Sequence, residues 1–253
     1  MATLSVRDVS LNFGGITALD GISFDVEPRQ ICGLIGPNGA GKTSLFNCVS
    51  RLYQPSSGAI LLDGDDLLAH HASGIARKGV ARTFQNLGLF PSMTFLENTM
   101  AGAYAHGRVG FMRALARWGV AREDRALRAE AYELLERLDL AQFAFRHAEG
   151  MPFGTLKRLE LARALAARPK LLMLDEPAGG LTHGEVHDLG EAIRRIREDF
   201  DLTMLLVEHH MGLVMGISDK VVAMANGKKV AEGTPRDIQV HPEVVSAYLG
   251  TPV

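Results

Sequence analysis

Residues 36 to 44 read Gly36, Pro37, Asn38, Gly39, Ala40, Gly41, Lys42, Thr43 and Ser44, so glycines, a lysine and hydroxyls stand at the spacing G-x-x-x-x-G-K-[ST]. Glycines there let backbone N–H groups turn inward into a concave nest for phosphate oxygens, a nest that side chains would obstruct. Lys42 would then reach the β- and γ-phosphates of a nucleotide, and the Thr43 hydroxyl would ligate Mg²⁺. Farther on, the apolar run Leu171 to Leu174 ends in Asp175-Glu176. A strand in that position would deliver Asp175 towards Mg²⁺ and Glu176 towards the γ-phosphate. Thr203 to Val207 runs in turn into Glu208, His209 and His210. Ligands of parallel α/β sheets bind off the carboxyl ends of strands, which puts His209 at the phosphate edge.

These groups need elements to hold them. Ile31 to Ile35 sits directly before the glycine loop, and Leu45, Phe46, Val49 and Leu52 recur at helical spacing after it. Strand, loop and helix thus follow in the required order, and a helix starting near Gly41 would aim its positive end at the same phosphates. Upstream, the apolar run Ile16 to Leu19 is followed by Ile22, Phe24 and Val26 alternating with polar neighbours. Ile60 to Leu62 leads into the turn pair Asp63-Gly64. A small antiparallel sheet beside the core is expected from these segments. Residues 151 to 167 predict a turn ending at Gly154 and then a helix with Leu156, Leu159, Ala162 and Ala166 on one face, its N-terminus a second potential anion site. Thr182 and Glu185 form a capping box ahead of the amphipathic positions Val186, Leu189, Ile193 and Ile196. Val221 to Ala225, Asn226-Gly227 and Lys228 to Ala231 read as a hairpin, with a short helix around Val244 to Leu249 after it.

The stretch from about residue 87 to 153 has another character. Arg108, Arg113, Arg117, Arg122, Arg125 and Arg128 lie among Phe111, Leu115 and Trp118, and Leu127, Ala131, Leu134 and Leu138 mark one buried helical face. A solvated helical surface is the first reading of such a pattern, and a docking or membrane-surface patch the second. The 253 residues carry a formal charge of −2, so no global positive field attracts nucleic acid or anionic lipid. No apolar run approaches the ~20 residues of a membrane span, and the N-terminus lacks a basic segment followed by an apolar one. The chain is expected to stay in the cytosol. Cys32 and Cys48 fall in apolar settings, as buried reduced thiols do. Together these features predict one α/β domain, with the core and antiparallel part in residues 1–86 and 154–253 and a helical lobe inserted at about 87–153.

The ordered set of P-loop, Gln85, glycine turn before a helix, Asp175-Glu176 and His209 resembles the ATPase subunit of an ABC transporter, over essentially the whole chain. The opening LNFGGITALDGISF, the stretch RTFQNLGLFPSMTFLEN, the arginine-rich insert and the ending VAEGTPRDIQVHPEVVSAYLG resemble more narrowly the subunits that energise bacterial branched-chain amino-acid importers. The resemblance implies a P-loop NTPase fold with an antiparallel β subdomain and an inserted α-helical subdomain. It implies ATP and Mg²⁺ as cofactors, and hydrolysis of ATP to ADP and phosphate. Phe13 would stack on adenine, Gln85 would sense both Mg²⁺ and the membrane partner, and His209 would contact the γ-phosphate. Glu176 would activate the attacking water, while Lys42, Mg²⁺ and His209 offset charge on the transferred group.

The implied partners are transmembrane permease subunits, a second ATPase subunit, identical or different, and indirectly a solute-binding protein, with no nucleic acid. The implied location is peripheral, on the cytoplasmic side of the inner membrane. Leu87, Leu89, Phe90 and Met93 would supply apolar anchors for a helix of the membrane partner. In the family the glycine turn of one subunit covers the ATP held by the other, and here that turn is Met151-Pro152-Phe153-Gly154-Thr155, where Leu-Ser-Gly-Gly-Gln is usual. Gly154 is the retained glycine, Thr155 stands at the glutamine position, and Thr182 replaces an aspartate that follows the acidic pair. An ATPase subunit of lipopolysaccharide-export type is the near alternative. A soluble ABC ATPase acting on nucleic acid or ribosomes would carry tandem cassettes or long coiled coils, and a P-loop kinase would need an acceptor lid.

Overall fold

The computed structural model describes residues 3–84, 86–103 and 120–249. Gln85 lies outside the described residues, as do Arg108, Arg113 and Arg117 with Phe111, Leu115 and Trp118. In chain order the strands and helices are β1 (Leu4–Phe13), β2 (Ile16–Val26), β3 (Ile31–Ile35), α1 (Lys42–Val49), β4 (Ser57–Leu62), β5 (Asp65–Asp66), β6 (Val80–Arg82), α2 (Phe95–Ala103) and α3 (Val120–Arg137). There follow α4 (Phe153–Ala166), β7 (Leu171–Asp175), α5 (His183–Asp199), β8 (Thr203–Val207), α6 (Met211–Ile217), β9 (Lys220–Ala225), β10 (Lys228–Gly233), α7 (Pro235–Gln239) and α8 (Pro242–Leu249).

Alternation along the central strands decides how the layers stack. Ile31 and Ile35, Leu172 and Leu174, and Met204 and Leu206 enter one core, while Cys32 and Leu34, Leu171 and Met173, and Leu205 and Val207 enter another. A strand apolar on both faces must be covered on both. The six-stranded sheet has the order β10-β9-β3-β8-β7-β6, parallel throughout except for β10. One core contains residues of α2 to α5. The other encloses Leu45, Phe46, Cys48 and Val49 of α1 together with the inward residues of the antiparallel sheet β2-β1-β4-β5. The parallel strands therefore end on one common edge, and the glycine loop, Glu176 and His209 all follow directly from such ends.

Two strands were not predicted. In β1 the pairing register slips between Val6 and Val9, where Asp8 has φ 48°, so the inward residues Leu4, Val6, Val9 and Leu11 do not alternate regularly. β6 spans three residues at the sheet edge, too few for a period to show. Burial pushes the Cys32 thiol up to about 12 and the Cys48 thiol to about 11, and both are free and buried, as expected of inert structural thiols.

The helices of the first core approach closely. A Cβ on Gly102 of α2 would overlap the Arg163 carbonyl oxygen of α4, so only glycine permits this spacing. Asn98, fully buried, accepts from Phe90 N at 2.8 Å and donates to the carbonyls of Phe90 at 3.0 Å and Met93 at 3.2 Å, pinning the loop before α2. Ala131, Leu134 and Leu135 form the buried face of α3, continued by Leu138 just past its end, while Arg125 and Arg128 lie on its exposed side. Arg128 meets Asp124 at 3.8 Å, a solvated pair one turn apart. Among the described residues, no helix is long and apolar enough to cross a membrane.

Candidate nucleotide site

The glycine loop is held from below. Gly36 has φ 155°, and a Cβ there would overlap the Met224 carbonyl oxygen; Gly41 has φ 97°, and its Cβ would sit 2.7 Å from Ala18 O. Any other residue at these two positions would push the loop off the β9–β10 hairpin and β2. That hairpin turn anchors the loop further, since Gly227 N donates to Ala40 O at 3.1 Å and Gly227 O accepts from Asp20 N at 2.8 Å. Pro37 is half-buried, Asn38 and Gly39 are exposed, and Thr43 and Ser44 occupy the first turn of α1 with Thr43 exposed. Lys42 is 6 % exposed and donates Nζ–H to Gly36 O at 2.6 Å and Pro37 O at 3.0 Å. Burial lowers the Lys42 ammonium below its ordinary value, and the Glu176 charge opposes that shift, which places the lysine and the acid in one electrostatic neighbourhood.

At the strand ends, Asp175 closes β7 and Glu176 follows it in a left-handed conformation, φ 46°. For a non-glycine residue that conformation costs on the order of 1 kcal/mol and is kept where surroundings impose it. Here Glu176 N donates to Val207 O at 2.9 Å, and the carboxylate Oε1 lies 3.0 Å from His209 Nε2. The structure thus joins the two residues whose roles were predicted separately. Glu208, unassigned from sequence, does the joining: 3 % exposed, its carboxylate accepts from Ala178 N at 2.7 Å, His209 N at 2.7 Å and His210 N at 2.8 Å. A buried carboxylate needs such donors, and here they tie the loop after Glu176 to the loop carrying His209. Phe13 is 47 % exposed and meets the Tyr53 ring edge-on at 5.3 Å, leaving an aromatic surface for a base.

The segment Met151 to Thr155 differs from its expected form. The helix begins at Phe153 with Pro152 as N-cap, so Gly154 lies within the first helical turn and does not end a preceding turn. A Cβ on Gly154 would stand 2.7 Å from Glu185 Oε1, so the capping acid of α5 packs against this glycine. Both halves of the predicted capping box form, Thr182 N donating to Glu185 Oε2 at 2.9 Å and Glu185 N donating to Thr182 Oγ1 at 3.5 Å. The Phe153 ring lies against Gly180 and under Lys157 Nζ, 5.5 Å from the ring centre. Thr155 is 8 % exposed, so a contact from it to a second subunit's nucleotide would go through its backbone or need a shift.

The donor set suits Mg²⁺. That ion takes hard oxygen ligands, keeps several waters and relies on one or two protein groups plus phosphates, as Thr43 and Asp175 beside a phosphate nest would supply. Among the described residues there is no group of three or more His, Cys, Asp or Glu that could hold a metal ion.

Comparison with known proteins converges on one family. A family model described as ABC transporter matches residues 19–179, and one described as branched-chain amino acid ATP-binding cassette transporter matches residues 228–253. The chain is 43% identical over 248 residues to the high-affinity branched-chain amino acid transport ATP-binding protein BraF of Pseudomonas aeruginosa, covering 98% of this chain and 97% of BraF. It is 41% identical over 248 residues to LivG of Escherichia coli K12, a protein of the same description, with the same 98% and 97% coverage. Among solved structures, the ADP conformation of MJ1267, an ATP-binding cassette of an ABC transporter, superposes with a TM-score of 0.86 at 29% identity, covering 99% of both chains. Matched by that family model from residue 19 to 179 and by full-length relatives above 40% identity, the protein belongs to the ABC transporter family as an ATP-binding, ATP-hydrolysing cassette.

Proposed function

We propose that this chain is the ATPase subunit of an importer for branched-chain or related amino acids, peripheral on the cytoplasmic side of the membrane and docked on transmembrane permease subunits. The observation that carries the hydrolytic reading is the 3.0 Å approach of Glu176 Oε1 and His209 Nε2 at the ends of adjacent parallel strands, with Lys42 close enough to feel the Glu176 charge. Lys42 and the loop amides bind the phosphates, and Phe13 supports the base. Glu176 orients a water in line with the γ-phosphate and takes its proton, and His209 holds the Glu176 carboxylate and faces the transferred group. Thr43 and Asp175, with Gln85 as a further ligand, would hold Mg²⁺, which would supply positive charge to the phosphate oxygens. The lobe of residues 87–153 receives the permease, with Phe90 and Met93 presented at 47 % and 37 % exposure. The solute assignment draws on the names of BraF and LivG and on the match at residues 228–253.

Glu176→Gln tests the mechanism in the purified chain. The change keeps shape and removes the proton acceptor, so phosphate release should fall by about 10²–10⁴ while ATP affinity holds. Normal turnover in this variant refutes the role of Glu176. For the solute, reconstitution with the permease asks which solute-loaded binding protein stimulates hydrolysis. Stimulation by a system unrelated to amino acids overturns the assignment.

A further inference from the structure

We propose that Arg82 is a positioning residue that fixes the Asp175 carboxylate against the helix following the glycine loop; the proposal rests on reading Asp175 as the metal-side acid. Arg82 ends β6 and pairs in register with Met173, two residues before Asp175. Its Nη2 donates to Asp175 Oδ2 at 2.6 Å, and its Nη1 donates to Asn47 Oδ1 at 2.7 Å and Ser50 Oγ at 2.8 Å. The guanidinium lies over two rings, 5.1 Å from the centre of Phe46 and 5.4 Å from that of Phe84. Both charged side chains are shut away from water, 9% exposed for Arg82 and 10% for Asp175.

The geometry does more than satisfy a buried charge. A planar fork with fixed donor directions specifies orientation as a single ammonium cannot. One prong holds the acid at the end of β7, the other holds α1, whose first turn carries Lys42 and Thr43. Residue 83 completes the clamp, since Asp175 N donates to Thr83 Oγ1 at 3.2 Å. The relative placement of Thr43 and Asp175, the two protein groups proposed to hold Mg²⁺, therefore runs through Arg82. An arginine needed only for stability would leave the Mg²⁺ requirement of folded protein unchanged. One that positions the acid would not.

The experiment uses the purified full-length chain as wild type, Arg82→Met, Arg82→Lys and Asp175→Asn. Melting temperature establishes folding, fluorescent-nucleotide binding in EDTA isolates the metal-independent contacts, and ATPase is titrated with Mg²⁺. Arg82→Met should bind nucleotide in EDTA as wild type does, need several-fold more Mg²⁺ for half-maximal activity and lose at least tenfold in kcat. Arg82→Lys, which keeps the charge and loses the fork, should fall between. A folded Arg82→Met with wild-type Mg²⁺ requirement and kcat overturns the proposal. If Arg82→Met does not fold, Arg82→Lys decides alone on the same two readouts. Asp175→Asn separates the two ideas: a wild-type Mg²⁺ requirement there removes the reading of Asp175, whereas a raised requirement beside unaffected Arg82 variants removes only the role of Arg82.

Discussion

Lys42 is 6 % exposed and its Nζ donates to the carbonyl oxygens of Gly36 and Pro37 in its own loop, so the side chain is preorganised at the centre of the phosphate nest. Lys42→Ala removes a charge-assisted contact worth roughly 1.5–3 kcal/mol, which corresponds to about a ten- to hundredfold weaker nucleotide affinity. Titration with labelled ATP checks this, and an unchanged affinity refutes the loop assignment. Lys42 was legible as a candidate because it sits in a short local pattern, whereas Glu176 and His209 were read from their places after apolar runs together with the upstream glycine loop and the family resemblance. Arg82 and Glu208 were not, since their meaning lies in partners 93 and 30 residues away, and a single charge beside an apolar run carries no mark of what it will meet. The left-handed conformation of Glu176 was equally hidden, because the contact that accompanies it, Glu176 N to Val207 O, reaches a neighbouring strand.

At the level of elements, the strands that read clearly were those with uninterrupted period or uniform apolarity, such as β7 and β8. The bulge in β1 and the brevity of β6 erased the signal that the same residues would have given in a regular ladder. The start of α4 was misplaced because a glycine suggested a turn, whereas Gly154 lies inside the first helical turn and packs against the Glu185 carboxylate. Glu160, in the middle of α4 and 4 % exposed, links this helix to the segment that follows β6 by accepting from Phe84 N at 3.0 Å. Burial raises its carboxyl above the ordinary 4.5, outweighing the Phe84 N–H and the charges of Lys157 and Arg163, which pull it down. The folded protein thus keeps this proton to higher pH than the unfolded chain does. Its contribution to stability is fullest at and below pH 4.5 and is lost as pH rises through the folded value. Glu160→Gln keeps an oxygen acceptor and cannot ionise. The melting temperature of Glu160→Gln minus that of wild type should therefore be more positive at pH 8 than at pH 5, and a difference constant across that range contradicts the burial effect.

The whole molecule presents its chemistry on one face. The glycine loop, Glu176 and His209 follow the carboxyl ends of β3, β7 and β8, with Asn38, Gly39 and Thr43 exposed around them. The N-terminus of α4, by contrast, is committed to other contacts within the chain: Phe153 packs on Gly180, and Gly154 on Glu185. Those contacts leave the Phe153 ring exposed, and if the glycine turn of a second copy covers the nucleotide, as the family resemblance implies, the tests of hydrolysis and assembly meet in one variant. Glu176→Gln should hold ATP without cleaving it, so any assembly that depends on bound ATP should persist. Static light scattering on the variant is expected to show a dimer with ATP and a monomer with ADP. The 42% exposed Phe153 ring, in place of a family glycine, would lie in that interface beside the backbone of Gly154 and Thr155. If the variant binds ATP and stays monomeric, self-pairing is refuted and the complementary turn belongs to a different subunit. Titrating that subunit into the ATP-bound variant should then produce the dimer that the chain alone does not.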